Sequence, residues 1–292
     1  MPELPEVETI RCGLNRLLVG RTVAGATNFA SAKSFPNDDA TVKHFFFGAK
    51  VISVERRAKV LLINLSTDYT LVVHLKMTGQ LVYRGEEVFG GGHPTDSLIG
   101  ALPDRFTREQ IDFSDGSHLF FNDLRKFGWM KLVPTAEVSN LSFMQKVGPE
   151  PLDDSFTERE FIPRIRRRNN TTIKAAILDQ TVLAGVGNIY ADESLWSTYV
   201  HPATRVRDVT DEQLAELLVN IKAVMNLSIE KGGSTDKNYV DAEGNKGSYL
   251  TFANVFRREG QACTRHPDVL IEKLRVAGRG THVCPVCQPM PQ

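Results

Sequence analysis

What most limits the fold of this chain is a change of hydrophobic period partway along it. Before VGPEPL (147–152) the apolar residues alternate or come in short blocks; after it they recur every three or four positions. The first stretch reads as strands over 21–30, 50–65 and 70–84, a hairpin over 108–123 turning at Asp115-Gly116, and a short strand, WMKLV, at 129–133. A helix over 3–19 leads it, with Val7, Ile10, Leu14, Leu17 and Leu18 on one face and Gly20 at its end. The stretch 85–104, with GGGHP and further prolines, reads as an inserted surface loop. The second stretch is helical in TIKAAILDQ, NIYADESLW and DEQLAELLVNIKAVMNLSIEK. Thr210 and Gln213 form a capping-box pattern at the start of the last of these, and Gly232-Gly233 stops it. The polar, Gly-rich STDKNYVDAEGNKGSY then reads as a mobile loop. At 292 residues the chain is comfortable for two domains, and the order of elements makes it an α+β multidomain protein.

Composition narrows the class. No apolar run approaches the roughly 20 residues that span a bilayer, and the N-terminus lacks the charged and apolar regions of a signal peptide, so a cytosolic protein is expected. Net charge is +0, which alone offers nothing to a polyanion. Its distribution offers more: 161–175, FIPRIRRRNNTTIKA, holds Arg164, Arg166, Arg167, Arg168 and Lys174 with no acid. Such a run is either a solvated helix face or a stripe that steers nucleic acid.

Of the 4 cysteines, three fall near the C-terminus, a pattern of metal binding more than of a disulfide framework. Cys263-x2-His266 and Cys284-x2-Cys287 are two close pairs whose short spacers let each pair turn onto one ion, and four N/S ligands suit tetrahedral zinc. In a module this small the metal replaces a hydrophobic core. Lys273, Arg275 and Arg279 lie between the pairs, placed to grip a phosphate backbone.

Six motifs then occur in order: MPELPEVET, RRAKVLL (56–62), HLKMTGQL (74–81), NDLRKFG (122–128), GVGNIYADE (185–193) and the terminal metal module. Together they make nearly the whole chain resemble the formamidopyrimidine-DNA glycosylase/endonuclease VIII family of base-excision repair. The resemblance implies a catalytic N-terminal β-sandwich with flanking helices over 1–134. It further implies a helix-two-turns-helix DNA-binding domain with a lesion-capping loop over 135–250, and a zinc finger with one structural Zn2+ over 251–292. The implied partner is double-stranded DNA containing oxidised bases, met by a monomer in a bacterial cytoplasm, with no membrane association.

The resemblance also assigns roles. Pro2, freed by removal of Met1, becomes the amine nucleophile, and Glu3 the acid/base. Glu6 tunes the site through hydrogen bonds, and Glu8 reads as solvated. Lys59 contacts phosphate and donates a proton in β-elimination. Arg279 grips the flanking phosphates and serves δ-elimination. Met77, Arg125 and Phe127 match a trio that fills the gap left by a flipped base, although in a bare sequence Met77 and Phe127 would read as core. Asn188 at a helix-opening turn suits phosphate binding, as do His74, Arg168 and Lys174.

Three departures stand out. His266 occupies a position where the family usually has cysteine. The 85–104 stretch is longer than usual. LPDRFTREQIDF lacks a histidine that the family often places against DNA, with Arg105 or His93 as substitutes. The trio and PELPEVET point to the branch that removes oxidised purines. A glycosylase for oxidised pyrimidines and a non-catalytic, zinc-containing lesion binder are the alternatives; the set Pro2, Glu3, Lys59 and Arg279 counts against the second.

Overall fold

The computed structural model describes residues 2–29, 33–234 and 249–291. They gather into two compact units, one from Met1–Gln145 and Lys231–Ser248, the other from Lys146–Glu230 and Tyr249–Gln292.

The first unit opens with helix α1 (Leu4–Leu18), whose predicted apolar face is fully used: Val7, Ile10, Leu14, Leu17 and Leu18 are all buried. Strand β1 (Val23–Asn28) and helix α2 (Asp39–Phe45) follow, the latter capped by Asp38 accepting from the Thr41 amide. Among the described residues eight more strands follow: β2 (Val51–Arg57), β3 (Val60–Leu65), β4 (Tyr69–His74), β5 (Gly79–Arg84), β6 (Val88–Gly92), β7 (Thr107–Phe113), β8 (His118–Asp123) and β9 (Trp129–Pro134). They form two antiparallel sheets, one ordered β1-β7-β8-β5-β6 and one β2-β3-β4-β9. Leu61, Ile63, Leu71 and Val73 of the smaller sheet meet Leu81, Ile111, Leu119 and Phe121 of the larger in one core, which also takes the α1 face.

The outer faces are covered too. Trp129, Val138, Leu141, Phe143 and Met144 pack on Val60, Val72 and Val133, bringing in short helix α3 (Ser142–Lys146); Leu98 and Leu102 pack on Val82 and Phe120. Covering both faces is why several strands read as continuous apolar runs instead of alternating ones.

Two sequence expectations change here. The strand expected over 50–65 is two strands, broken at Ala58 with φ 53; the one over 70–84 is likewise two, broken at Lys76 with φ 50. The expected surface loop at 85–104 instead contributes edge strand β6, a 3-10 turn at Asp96–Leu98 and the cover over Val82. Its glycines serve close packing: Gly92, at φ 123, brings the chain against the Gly79 carbonyl where a Cβ would not fit. Phe89 of β6 lies against Gly13 of α1 on the same terms.

The second unit holds α4 (Glu158–Arg166), α5 (Ile173–Leu178), α6 (Asn188–Ser197), α7 (Asp211–Glu230), short α8 (Tyr249–Phe252) and a hairpin of β10 (Glu272–Val276) and β11 (Arg279–Val283). The capping box on α7 is present: the Thr210 amide donates to Gln213 Oε1 at 3.0 Å and the Gln213 amide to Thr210 Oγ1 at 3.2 Å. The hairpin turns on Ala277 (φ 49) and Gly278 (φ 76), the two left-handed residues of a tight two-residue turn, and so presents Arg279 exposed at its tip. Among the described residues no helix is long and apolar enough to cross a membrane. The loop expected over 233–249 falls mostly at 235–248, outside the described residues, as does Met1.

Candidate active site and metal centre

The head of α1 carries the first group of predicted residues. Pro2, Glu3 and Glu6 are all buried. Glu3 is the N-cap of α1 and forms a capping box with Glu6, whose Oε2 accepts from the Glu3 amide at 2.8 Å. Glu6 Oε1 accepts from the Ser234 amide at 3.0 Å, so one carboxylate ties the chain start to the stem that follows α7. The site therefore sits at a helix N-terminus, where the macrodipole favours negative charge.

Glu8 is not solvated as expected. Arg56 Nε and Arg11 Nε each donate to it at 2.8 Å. Burial by itself would raise its pKa, but the hydrogen bonds and charge of Arg56 and Arg11 outweigh burial and hold it below the ordinary value. Arg56 also donates to the Ala58 carbonyl at 3.0 Å, which fixes the left-handed turn preceding Lys59. The route from α1 through Glu8 and Arg56 to the Lys59 turn is long-range, and no sequence motif announces it. Lys59 itself is 8% exposed.

His74 is mostly buried, edge-on to Trp129 with centroids 5.9 Å apart, and its Nδ1 accepts from the Lys76 amide at 3.1 Å. Burial first, then Lys76 and Lys59, push its pKa down to about 3. It is thus neutral near pH 7 and, with Nδ1 accepting, carries its proton on Nε2 as a donor.

Met77 and Phe127 are 41% and 53% exposed, which rules out the core reading of both. Arg125 joins them: its Nη1 lies 3.2 Å from Met77 Sδ and its guanidinium 5.0 Å from the Phe127 ring centre. His93 is half-buried, its amide bonded to the Gly79 carbonyl at 3.1 Å; Arg105 is exposed above the Phe106 ring.

In the second unit the residues around Arg279 interlock. Asn188, the first residue of α6, donates from Nδ2 to the Gly280 carbonyl at 3.0 Å. Lys174 departs from the surface phosphate contact expected of it. It is 0% exposed, and its ammonium donates to Asp192 Oδ1 at 2.6 Å, Thr281 Oγ1 at 2.7 Å and the Gly280 carbonyl at 3.1 Å. Asp192 Oδ2 in turn accepts the His282 amide at 3.0 Å and Nδ1 at 3.1 Å. A charge so enclosed and so fully bonded holds the Arg279 hairpin in place instead of meeting solvent. Sequence reasoning missed it because lysine in a basic run reads as surface. Arg168 is partly exposed and paired with Asp179 at 2.9 Å.

Cys263, His266, Cys284 and Cys287 converge, with their ligand atoms all within 4.8 Å of one another. Cys263 Sγ lies 3.8 Å from Cys287 Sγ, and His266 Nδ1 lies 3.2 Å from Cys287 Sγ and 3.9 Å from Cys284 Sγ. A tetrahedron with metal–sulfur bonds of about 2.3 Å has edges of about 3.8 Å, so the donor set fits a zinc-sized ion. Its electrostatics ask for a cation as well. Burial opposes ionisation of Cys263, but the Arg265 and His266 amides outweigh it and lower its pKa to about 6; burial and the adjacent sulfurs push Cys287 up to about 12. A cation at the centre of the cluster would offset the burial and neighbouring charge that hold Cys287 up. The cluster packs with Trp196, Val255 and Ile271, and Arg265 lies 3.6 Å from the Trp196 ring centre.

A helix-led pair of antiparallel sheets in one unit, with helices, a Cys/His centre and a basic hairpin in the other, defines a multidomain α+β class of protein. The family follows from comparison. Residues 1–130 match the model of the formamidopyrimidine-DNA glycosylase N-terminal domain, and residues 147–239 that of the formamidopyrimidine-DNA glycosylase H2TH domain. The chain is 39% identical to the formamidopyrimidine-DNA glycosylase of Pelotomaculum thermopropionicum over 99% of each protein. It is 41% identical to that of Herpetosiphon aurantiacus, over 99% of this chain and 100% of the relative. Among solved structures it is similar to Lactococcus lactis Fpg in complex with abasic-site DNA, at TM-score 0.86 and 31% identity, covering 99% of this chain and 100% of that one. The wild-type Lactococcus lactis protein bound to DNA containing N7-benzyl-Fapy-dG matches at TM-score 0.86 and 30% identity, with the same coverage. The chain belongs to the formamidopyrimidine-DNA glycosylase family.

Proposed function

We propose that this chain is a bifunctional DNA glycosylase and AP lyase of base-excision repair, which removes 8-oxoguanine and formamidopyrimidines from duplex DNA through an N-terminal proline Schiff base. The observation that carries this reading is the buried Pro2–Glu3 pair at the capped head of α1. With Met1 removed, Pro2 offers a secondary amine. An α-amino group titrates near about 7.7–8.0, so a useful fraction is neutral at physiological pH. The Pro2 lone pair attacks C1′ of the damaged nucleotide. The glycosidic bond breaks, its electron pair leaves with the base, and Glu3 supplies the proton.

Opening of the sugar leaves an iminium between Pro2 and C1′, which acidifies the C2′ hydrogen. Glu3, left as a carboxylate, takes that proton while the C3′–O bond breaks and Lys59 protonates the departing 3′ phosphate; loss of the C4′ proton then breaks the C5′–O bond and expels the 5′ phosphate, which Arg279 grips. Hydrolysis of the iminium returns the Pro2 amine. Met77, Arg125 and Phe127 fill the gap left by the flipped base; the exposure of all three supports that role, and the names of the relatives support oxidised purines as substrates. His74, Arg168 and Asn188 hold phosphates, His74 as a neutral donor. Lys174 holds the Arg279 hairpin.

Cys263, His266, Cys284 and Cys287 hold one structural zinc, which supplies a cross-link and no reaction chemistry. In this reading 1–134 carries the chemistry, while 135–250 and 251–292 grip DNA in a bacterial cytoplasm. The test is single-turnover cleavage of a duplex with 8-oxoguanine opposite cytosine. Glu3→Gln should release base about 10²–10⁴-fold more slowly than wild type. A Glu3→Gln protein as fast as the wild type would contradict the assignment.

A further inference from the structure

The two turns that carry Met77, Arg125 and Phe127 are both crossovers between the sheets, β4 to β5 and β8 to β9. Each contains a lysine in the left-handed region, Lys76 at φ 50 and Lys126 at φ 60. A side chain other than glycine holds that conformation only where its surroundings over-determine it. His74 Nδ1 holds the Lys76 amide at 3.1 Å, and one buried carboxylate ties the two turns to each other. Asp123, the last residue of β8 and paired in register with Gly79, is 1% exposed. Its Oδ1 accepts from Thr78 Oγ1 of the first turn and from the Arg125 amide at 3.2 Å. Its Oδ2 accepts from the Gly128 amide at 2.6 Å, and the Arg125 amide also donates to Thr78 Oγ1 at 2.9 Å. The backbone of Asp123 is fixed as well: Arg108 donates to its carbonyl at 2.9 and 2.8 Å, and its amide donates to the Phe106 carbonyl at 2.9 Å. Thr78 on one turn and Arg125 and Gly128 on the other therefore meet on one side chain.

We propose that Asp123 is a positioning residue that fuses the two turns into one wedge assembled before DNA arrives. Arg125 already lies against Met77 Sδ and the Phe127 ring because its own amide is held by Asp123 and Thr78. Preassembly spares the ordering of two separate loops at the moment of binding. Asp123 thus acts on the step in which the wedge enters the helix and leaves the chemistry at Pro2 alone. The inference rests on the wedge role given above, and its test reads insertion apart from catalysis.

The test is Asp123→Asn, which keeps the shape and turns one acceptor into a donor facing amide hydrogens. Insertion is followed by the fluorescence of 2-aminopurine opposite a tetrahydrofuran abasic analogue, which requires no turnover. If wild type gives no fluorescence change, the wedge reading itself fails, and this inference with it. Given a wild-type signal, Asp123→Asn should slow insertion and raise KM on lesion duplex by about tenfold, with kcat and the unfolding temperature near wild type. Lys126→Gly, which relieves the left-handed turn, should restore part of the insertion rate in the Asp123→Asn background. Wild-type insertion and KM in Asp123→Asn would overturn the proposal. So would a joint fall of kcat and unfolding temperature without rescue by Lys126→Gly, because that marks general damage to the fold.

Discussion

Single residues here are set by what encloses them. Glu109 on β7 is 1% exposed; Ser34 Oγ donates to its Oε1 at 2.8 Å, while its Oε2 has no hydrogen-bond partner. Burial raises its pKa from 4.5 to about 7, against a smaller opposing effect of Ser34. A carboxyl raised in this way leaves stability intact below about pH 4.5, and stability is lost as pH rises through 7. Glu109→Gln should therefore match wild type at pH 4 and exceed it at pH 8, by on the order of 2–3 kcal/mol. Thermal unfolding at the two pH values checks this, and equal unfolding temperatures at pH 8 would contradict it. Period-two alternation along TREQIDF puts Glu109 on the buried side with Ile111 and Phe113, but nothing in the sequence marks it as an enclosed acid lacking a second partner. The metal quartet was legible from residue type and spacing, whereas Pro2, Glu3 and Lys59 stood out only through the family resemblance. The enclosure of Lys174 and the Glu8–Arg56 pairing were not legible, because both depend on partners far along the chain.

At the scale of elements, helices were more legible than strands. The apolar face of α1 and the capping box of α7 stand in the sequence as they stand in the fold. The break between β2 and β3 falls at Ala58, with neither glycine nor proline to mark it. In 85–104 the glycines pointed the wrong way: they read as a loop, whereas they permit β6 to lie close to its neighbours. A related contact makes a prediction that runs against helix propensity. Gly13→Ala within a helix ordinarily stabilises by about 0.5–1 kcal/mol. Here the added Cβ would come within 2.3 Å of two Phe89 ring carbons, so Gly13→Ala should lower the unfolding temperature. Gly13→Ala combined with Phe89→Leu, which vacates that space, should recover part of the loss. A rise with Gly13→Ala alone would contradict the packing described.

Across the whole molecule the division of labour follows the composition. The strand-rich first half buries one core between two sheets, while the short C-terminal module buries few apolar residues around its Cys/His centre. A module so built depends on its metal. Metal analysis should find one zinc per chain. A strong chelator should expose Trp196, now 5% exposed, and shift its emission to the red, while circular dichroism of the strand-rich unit stays unchanged. Emission unaltered after complete zinc removal would contradict a structural metal.

The central claim is that the chain end is the nucleophile. Its most direct measurement is borohydride reduction during reaction with an 8-oxoguanine:cytosine duplex, followed by mass mapping of the cross-linked peptide. The account predicts a stable protein–DNA adduct on the Pro2 nitrogen, in protein lacking Met1, that is diminished in Pro2→Gly. An adduct mapped to Lys59 or any other lysine, or none at all with an enzyme that still cleaves, would contradict it.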